Sequence, residues 1–255
     1  MLDRAITDYV ASAPQLVKKI PGQLSDREIR FLALMGACPL AEGEILSIGC
    51  GLGQSAIVFA EAARLAGDTR VSAIDPLVTS FYRTQLSAIE TNLKNARVDD
   101  IVDFHHVFPE EISEIWDRPL RLLFLGAEHS PEGAEADFDE YVEYLTDGAI
   151  VAFHNAIKRR DGGLVVFTED ILLDEHFGAA GMCGTIAWAR YHGDPAQASK
   201  FRDQKAKLYQ QLTPLIPFVA QDRKQSWWSR LSLKLQERRI PHQDVEPESW
   251  LRNVA

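Results

Sequence analysis

The sequence is short of several things, and each shortage closes off a class of protein. Only three cysteines occur in 255 residues, Cys38, Cys50 and Cys183. They are too few and too scattered for a disulfide framework or a metal knuckle, and the odd count points to reduced thiols. Apolar runs such as Leu122 to Leu125 and Ala149 to Phe153, or Ile45 to Ile48 with Ser47 inside it, reach only a handful of residues, whereas a membrane-spanning helix takes about 20. No basic-then-apolar leader opens the chain, because MLDRAITDYV sets acids among its apolar residues, and the expectation is a cytoplasmic protein. Internal repeats and low-complexity tracts are lacking too. What remains, 46% hydrophobic, 9% aromatic and 25% charged, is the profile of a globular chain able to bury a full core.

Basic residues are outnumbered, 27 Lys and Arg against 37 Asp and Glu, for a net charge of -10. The imbalance is local. From His192 to Ala255 there are 11 basic and 7 acidic residues, which leaves 16 and 30 in residues 1–191, so a body of net -14 carries a tail of net +4. An acidic body argues against a nucleic-acid partner, since neutralisation of phosphates by Lys and Arg supplies most of that affinity.

From about residue 44 to 191, short apolar runs alternate with helix-length amphipathic stretches, the pattern of a parallel sheet with crossover helices. The reading places strands at Glu44–Ile48, Arg70–Ile74, Ile101–His105, Arg121–Leu125 and Ala149–Phe153. Helices are expected at Gln54–Leu65, Tyr82–Asn95, Glu135–Tyr144 and Leu164–His176, and a hairpin over Phe177–Tyr191 turns near Cys183-Gly184. Two helices, Leu2–Lys19 and Asp26–Gly36, precede the sheet, the second with Ser25 as N-cap and Glu28 three residues on. Residues 1–191 read as one α/β domain. Residues 192–255 read as a helical, basic extension: a polar helix (Pro195–Leu212), a link with Pro214 and Pro217, a Trp-containing basic helix (Ser226–Arg239) and a frayed acidic end.

The segment EILSIGCGLGQSA puts Gly49, Gly51 and Gly53 after a buried strand and at the opening of a helix, with Cys50, Gln54 and Ser55 in the same turn. Glycines there permit a tight turn and close approach of backbone to a ligand, and free N–H groups at a helix start favour an anion. One helix and one strand later comes Asp75, at the tip of VSAID, where a carboxylate can accept hydrogen bonds from both hydroxyls of a ribose. Nicotinamide enzymes prefer G-x-G-x-x-G, whereas the run here is G-x-G-x-G, and the spacing favours S-adenosylmethionine over NAD. Cys50 contributes its backbone alone. Glu110 and Glu111 read as acids suited to the first turn of a helix. Phe81-Tyr82 stands where a lid over the cofactor could form, and His105 and His106 belong to a strand end near the adenine.

Three segments, ILSIGCGLGQSA, VSAIDPL and LRLLFLGAEHSPEGAEADFDEYVEYLTDGAIVAFHNA, make residues 25–191 resemble the class I S-adenosylmethionine-dependent methyltransferases. More narrowly they resemble the branch with macrocin-type sugar O-methyltransferases and cephalosporin-hydroxylase-like proteins. The resemblance implies a Rossmann-like fold: a seven-stranded, mostly parallel sheet with its last strand antiparallel and helices on both faces. It also implies S-adenosylmethionine as cofactor and a glycan or small-molecule hydroxyl as acceptor. The cofactor set it implies is Gly49, Cys50, Gly51, Gly53, Gln54, Ser55, Asp75 and Gly126.

Three positions depart from that family. Gly126 stands where the branch has an acid after the fourth strand, and Asn155 replaces the acid of a His-Asp pair. Divalent cations need carboxylate or other oxygen ligands, commonly more than one, so no metal is expected, although Glu128 is nearby. Ser47 stands where this class has an acid before the first glycine. For proton removal the candidate is His154 as general base, with His129 holding the cofactor or orienting the acceptor; Asn155, beside them at the catalytic rim, keeps a carbonyl oxygen that could still bind a cation weakly. Two other functions remain open: a degenerate methyltransferase-fold binding subunit, and an NAD-dependent enzyme.

In the tail, Trp227, Trp228, Leu231 and Leu235 share a helical face flanked by Lys224, Arg230, Lys234 and Arg238. Residues 224–239 could dock on the body, join a homodimer, cover the substrate cleft, or lie on an anionic membrane at its inner face.

Overall fold

The computed structural model describes residues 4–67, 70–77, 82–126, 130–157, 162–219 and 240–254. Two helices, α1 (Arg4–Val17) and α2 (Asp26–Ala37), lead into the alternation β1 (Glu44–Ile48), α3 (Gln54–Ala66), β2 (Val71–Ile74), α4 (Tyr82–Ala96), β3 (Val102–His105), α5 (Pro109–Ser113), β4 (Leu120–Leu125), α6 (Pro131–Asp139) and β5 (Leu145–Phe153). Then come α7 (Gly163–Val166), the hairpin β6 (Phe177–Cys183) and β7 (Ile186–Tyr191), α8 (Pro195–Ala198), α9 (Arg202–Leu212) and a final helix, Pro247–Val254. The strands form one sheet in the order β3-β2-β1-β4-β5-β7-β6. β7 runs antiparallel to both of its neighbours, and the remaining pairs are parallel. This is the Rossmann-like class I methyltransferase sheet.

The central strands are buried on both faces, which is why β4 reads as the uninterrupted run LRLLFL with every residue buried. One face packs on α1, α2, α3 and the final helix through Val10, Phe31, Phe59 and Trp250. The other packs on α6, α7 and α9 through Phe138, Leu164 and Leu208. The order of strands reverses between β1 and β4, and in open sheets of this kind ligands bind at the carboxyl ends beside such a switch.

The register makes those ends level. Ile48 pairs with Ile74 and with Leu125, Ile74 with His105, and Leu125 with Phe153. The ladder continues one residue further: Gly49 N–H donates to Ile74 O, Asp75 N–H to His105 O, Gly126 N–H to Ile48 O and His154 N–H to Leu125 O, at 2.8 to 3.1 Å. Asp75, Gly49, Gly126 and His154 therefore stand in one row across four adjacent strands, a span of about 14 Å at the usual strand spacing.

Ser25 caps α2 in a full capping box with Glu28. Three expectations need correction. The helix expected at Leu164–His176 ends at Ile171 as a π-helical turn, Phe167–Ile171. There the buried Thr168 hydroxyl donates back to Leu164 O and Val165 O, a contact that bends helices. The helix expected at Glu135–Tyr144 is instead α6, started by Ser130, whose Oγ accepts from Gly133 N–H, followed by a separate 3-10 turn at Val142–Tyr144.

The frayed acidic end is instead docked. Trp250 is fully buried, 4.8 Å from Trp188 and edge-on to Phe31 at 5.6 Å between ring centroids. Gln243 N–H donates to Met182 O on the outer edge of β6. An apolar indole outweighs the acids around it. The basic helix expected at Ser226–Arg239 lies outside the described residues, and no helix among those described is long and apolar enough to cross a membrane.

Candidate active site

Above the level row lies a cleft of about 310 Å³, lined by Gly49, Cys50, Gly51, Gln54, Ser55 and Asp75 on the donor side and by Gly126, His154 and Asn155 on the other. Nine of the eleven site residues expected from the sequence are thus brought together. Gly53 sits just behind, as the N-cap of α3 at φ +96°. His129, with Glu128, lies outside the described residues.

The glycine loop works differently from the expected anion cradle. The amides of its three glycines are spent on protein acceptors: Gly49 on Ile74 O, Gly53 on Cys50 O, and Gly51 on Asp75 Oδ2 at 2.7 Å. What the loop offers a ligand is shape and room. Gly51 adopts φ +54°, and a Cβ there would meet nothing within 4 Å, so the backbone faces open space. From α4, Asn92 Nδ2 donates to Leu52 O at 2.9 Å and braces the loop.

Asp75 is held by two backbone donors, Gly51 N–H on Oδ2 and Leu77 N–H at 2.8 Å on Oδ1. A carboxylate has about four lone-pair positions, so capacity for two further hydrogen bonds remains, which matches the paired hydroxyls of a ribose. Asp75 is also the only formally charged side chain lining the cleft among the described residues. With no cation among the described lining residues, the cleft offers no opposite charge to a pyrophosphate. A cationic sulfonium donor fits it.

Ser47 is fully buried, its Oγ 3.1 Å from Ser55 Oγ, so a neutral hydroxyl pair occupies the place of a carboxylate beneath the loop. Burial, with the Asp75 charge beside it, pushes the Cys50 thiol well above its ordinary range, which removes it as a nucleophile. His106 Nε2 lies 3.1 Å from Pro76 O, behind the cleft wall, and His105 Nε2 is 3.3 Å from Asp103 Oδ2.

On the β5 side, His154 is 8% exposed and stacks on Phe124, with ring centroids 6.1 Å apart and planes 27° from parallel. Asn155 is 3% exposed and takes a left-handed backbone, φ +60°, a conformation Asn tolerates better than most residues. Its Nδ2 donates to Gln23 Oε1 at 3.2 Å, while its Oδ1 is buried without a hydrogen-bond partner among the described residues.

Gln23 belongs to a wall that the sequence reading missed, the connection between α1 and α2, of which Pro21, Gly22, Gln23 and Leu24 line the cleft. The pair Pro21-Gly22 marks it as non-helical, yet no local signal says what it lies against. Gln54, expected at the cofactor, instead sends Nε2 to Ile20 O in this wall at 2.8 Å.

The wall is anchored at its α2 end. Glu28 Oε2 accepts from Ser25 N–H and Oγ, and Oε1 from Thr185 N–H and Oγ1, at 2.6 to 2.8 Å. Burial disfavours charge on Glu28, but these hydrogen bonds from Thr185 and Ser25 prevail and hold the carboxyl below its ordinary range. Thr185 O in turn accepts from Ala156 N–H, so one carboxylate ties the wall to the end of β5.

Residues 46–156 match the family model of a methyltransferase domain. Among similar solved structures is the O-methyltransferase TomG from Streptomyces achromogenes, involved in tomaymycin synthesis and solved with S-adenosylmethionine: 22% identical, covering 76% of this chain and 92% of that one, TM-score 0.53. An O-methyltransferase from Bacillus cereus with S-adenosylhomocysteine is 17% identical over 74% and 92%, TM-score 0.52. CalS11, a TDP-rhamnose 3′-O-methyltransferase of calicheamicin biosynthesis, is 17% identical over 76% and 97%, TM-score 0.51. At these identities the structures speak for the fold, and the family match speaks for the domain. Taken with the strand order and the level row, they show that residues 46–156 are similar to a methyltransferase domain and that the sheet around them has the class I methyltransferase fold.

Proposed function

We propose that the protein methylates a hydroxyl group, that of a sugar in a glycan, glycolipid or natural-product glycoside, without a metal ion and with His154 as general base. The observation that carries this reading is the placement of His154 in the same row as Asp75, two strands beyond the glycine loop, at the rim away from the ribose acid. The sugar class draws its support from the resemblance of the sequence and from the sugar hydroxyl named for CalS11.

Bound S-adenosylmethionine supplies a methyl group on sulfur, open to in-line displacement by an oxygen. Asp75, stiffened by Gly51 and Leu77, holds the ribose hydroxyls and so sets where the reacting end lies along the row. His154 Nε2 takes the proton that the acceptor oxygen loses as its new bond forms, its ring plane set by Phe124. An imidazole is half neutral near pH 6.5 and suits that task at physiological pH. Asn155, an amide, takes no proton and orients the acceptor through its Oδ1, which has no hydrogen-bond partner among the described residues.

Gly126 supports a metal-free site. A Cβ there would meet no atom closer than 3.4 Å, so a β-carbon is accommodated at ordinary contact distance, and glycine brings no carboxylate. Asn155 is likewise neutral, so the described residues at the ends of β4 and β5 supply none of the charged oxygens that hard cations favour.

The test is methyl transfer from tritium-labelled S-adenosylmethionine to a panel of alkyl and aryl glycosides, with phenols and amines as controls. Label on glycosides, lost in His154→Ala, is the expected result, and transfer confined to amines would refute it. A second reading, a donor-binding subunit without catalysis, is favoured by the two missing acids, and tight donor binding with no transfer to any hydroxyl would establish it. Residues 224–239, basic with Trp227 and Trp228, suit an anionic membrane surface, and flotation with anionic liposomes reads that contact.

A further inference from the structure

The connection Ile20 to Leu24 is a short strap between two fixed posts, α1 on one side and the Ser25–Glu28–Thr185 anchor on the other. Pro21, Gly22 and Gln23 are exposed to solvent on its outer side, while on its inner side they line the cleft. Two side-chain hydrogen bonds tie it to the sheet ends, Gln54 Nε2 to Ile20 O on the donor side and Asn155 Nδ2 to Gln23 Oε1 on the β5 side. Gly22 is where Gln54 passes, and a Cβ at that position would collide with the Gln54 amide.

Next to this strap, His154 and Asn155 are nearly inaccessible, with Nε2 and Oδ1 both buried. A substrate hydroxyl must come within about 2.6 to 3.2 Å of the base that deprotonates it. The cleft therefore has to open for the reaction, and the strap is a wall that borders both halves of the site and is tied across it by the two side-chain hydrogen bonds.

We infer that the strap is a gate on the methyl donor and the acceptor, with Gln54 and Gln23 as its latch residues. This rests on the donor reading of the cleft. Because each latch joins protein to protein, breaking one speeds opening whether the cleft is empty or filled. Entry and exit of a ligand then accelerate together, and affinity hardly changes. The two latches also have opposite chemistry: Gln54 is needed as an N–H donor, Gln23 as an oxygen acceptor.

Surface plasmon resonance with S-adenosylhomocysteine, read against thermal unfolding of each variant, tests this. Gln54→Glu, which loses the donor, Gln23→Leu, which loses the acceptor, and Gly22→Ala, which displaces the Gln54 amide, should each raise association and dissociation rates about fivefold to tenfold, leaving Kd within about threefold. Gln23→Glu keeps an oxygen for Asn155 and should stay within about twofold of the unaltered protein. Unmoved rates in the first three variants overturn the gate, as does Gln23→Glu behaving like Gln23→Leu. A rise in dissociation alone, with Kd rising in step, also overturns it, since that marks direct contacts with the ligand. If the unaltered protein binds no S-adenosylhomocysteine, the donor reading falls and the gate with it. Binding with unmoved rates sinks the gate alone.

Discussion

The two halves of the cleft are built by different means. On the donor half, Gly49, Gly51 and Asp75 are placed by backbone hydrogen bonds between neighbouring strands and loops, and the one side chain that matters, Asp75, is itself clamped by two amides. On the β5 half, position depends on side chains that come from far along the chain. Asn155 answers to Gln23, Thr185 to Glu28, and the His154 ring to Phe124. Backbone ladders tolerate side-chain change, so the donor half should resist substitution except at its acid, while the β5 half should respond to many.

The largest effect that would sharpen this contrast is on turnover. His154→Ala should lower the rate by about 10² to 10⁴ with S-adenosylhomocysteine affinity unchanged by calorimetry; a near-normal rate breaks the assignment. Asp75→Ala should do the opposite. It removes two ligand hydrogen bonds to a charged group and should weaken donor binding about 10²-fold or more, and unchanged affinity would remove Asp75 from the site.

Next comes acid sensitivity, centred on Glu28. Its carboxyl is held below the ordinary range in the folded state, so the stability it contributes is fully present above the unfolded value of about 4.3. That stability is lost as pH falls through the depressed folded value. Thermal unfolding should show Glu28→Gln less stable than the unaltered protein at pH 7, with the gap narrowing toward pH 3. A constant gap would mean the charge is irrelevant. Gly51→Ala should cost only about 1 kcal/mol, the strain of a left-handed alanine, because space beside it is open. A denaturant titration showing a loss several times larger would contradict the open cradle. Smallest of all, chelation with EDTA should leave methyl transfer unaltered, and strong magnesium dependence would overturn the reading of Gly126 and Asn155.

Legibility followed the same division. The glycine run, Asp75 and the strands before Gly126 and His154 were readable because each is a local signal, a buried apolar run ending at a strand tip; Gly126 and His154 themselves were singled out by the resemblance to a family motif. The capping box of Ser25 and Glu28 was readable for the same reason, but the second half of the work of Glu28, on Thr185, joins residues 157 positions apart. The strap escaped notice because Pro21-Gly22 says only that a helix stops. Trp250 was misread as part of a frayed end, since its acidic neighbours Glu246 and Glu248 dominate the local pattern and its partners, Phe31 and Trp188, are distant in sequence.

By itself, then, the sequence determined the alternation of strands and helices, the donor loop and the acid that faces it, because apolar periodicity and turn chemistry act over a few residues. The tertiary structure alone decided that the Gly49, Gly51 and Gly53 amides are already spent, that Gln54 reaches the strap, and that Asn155 is pinned by Gln23. Those outcomes depend on which distant polar groups meet once burial drives donors toward acceptors, and no stretch of sequence shorter than the whole chain contains that information.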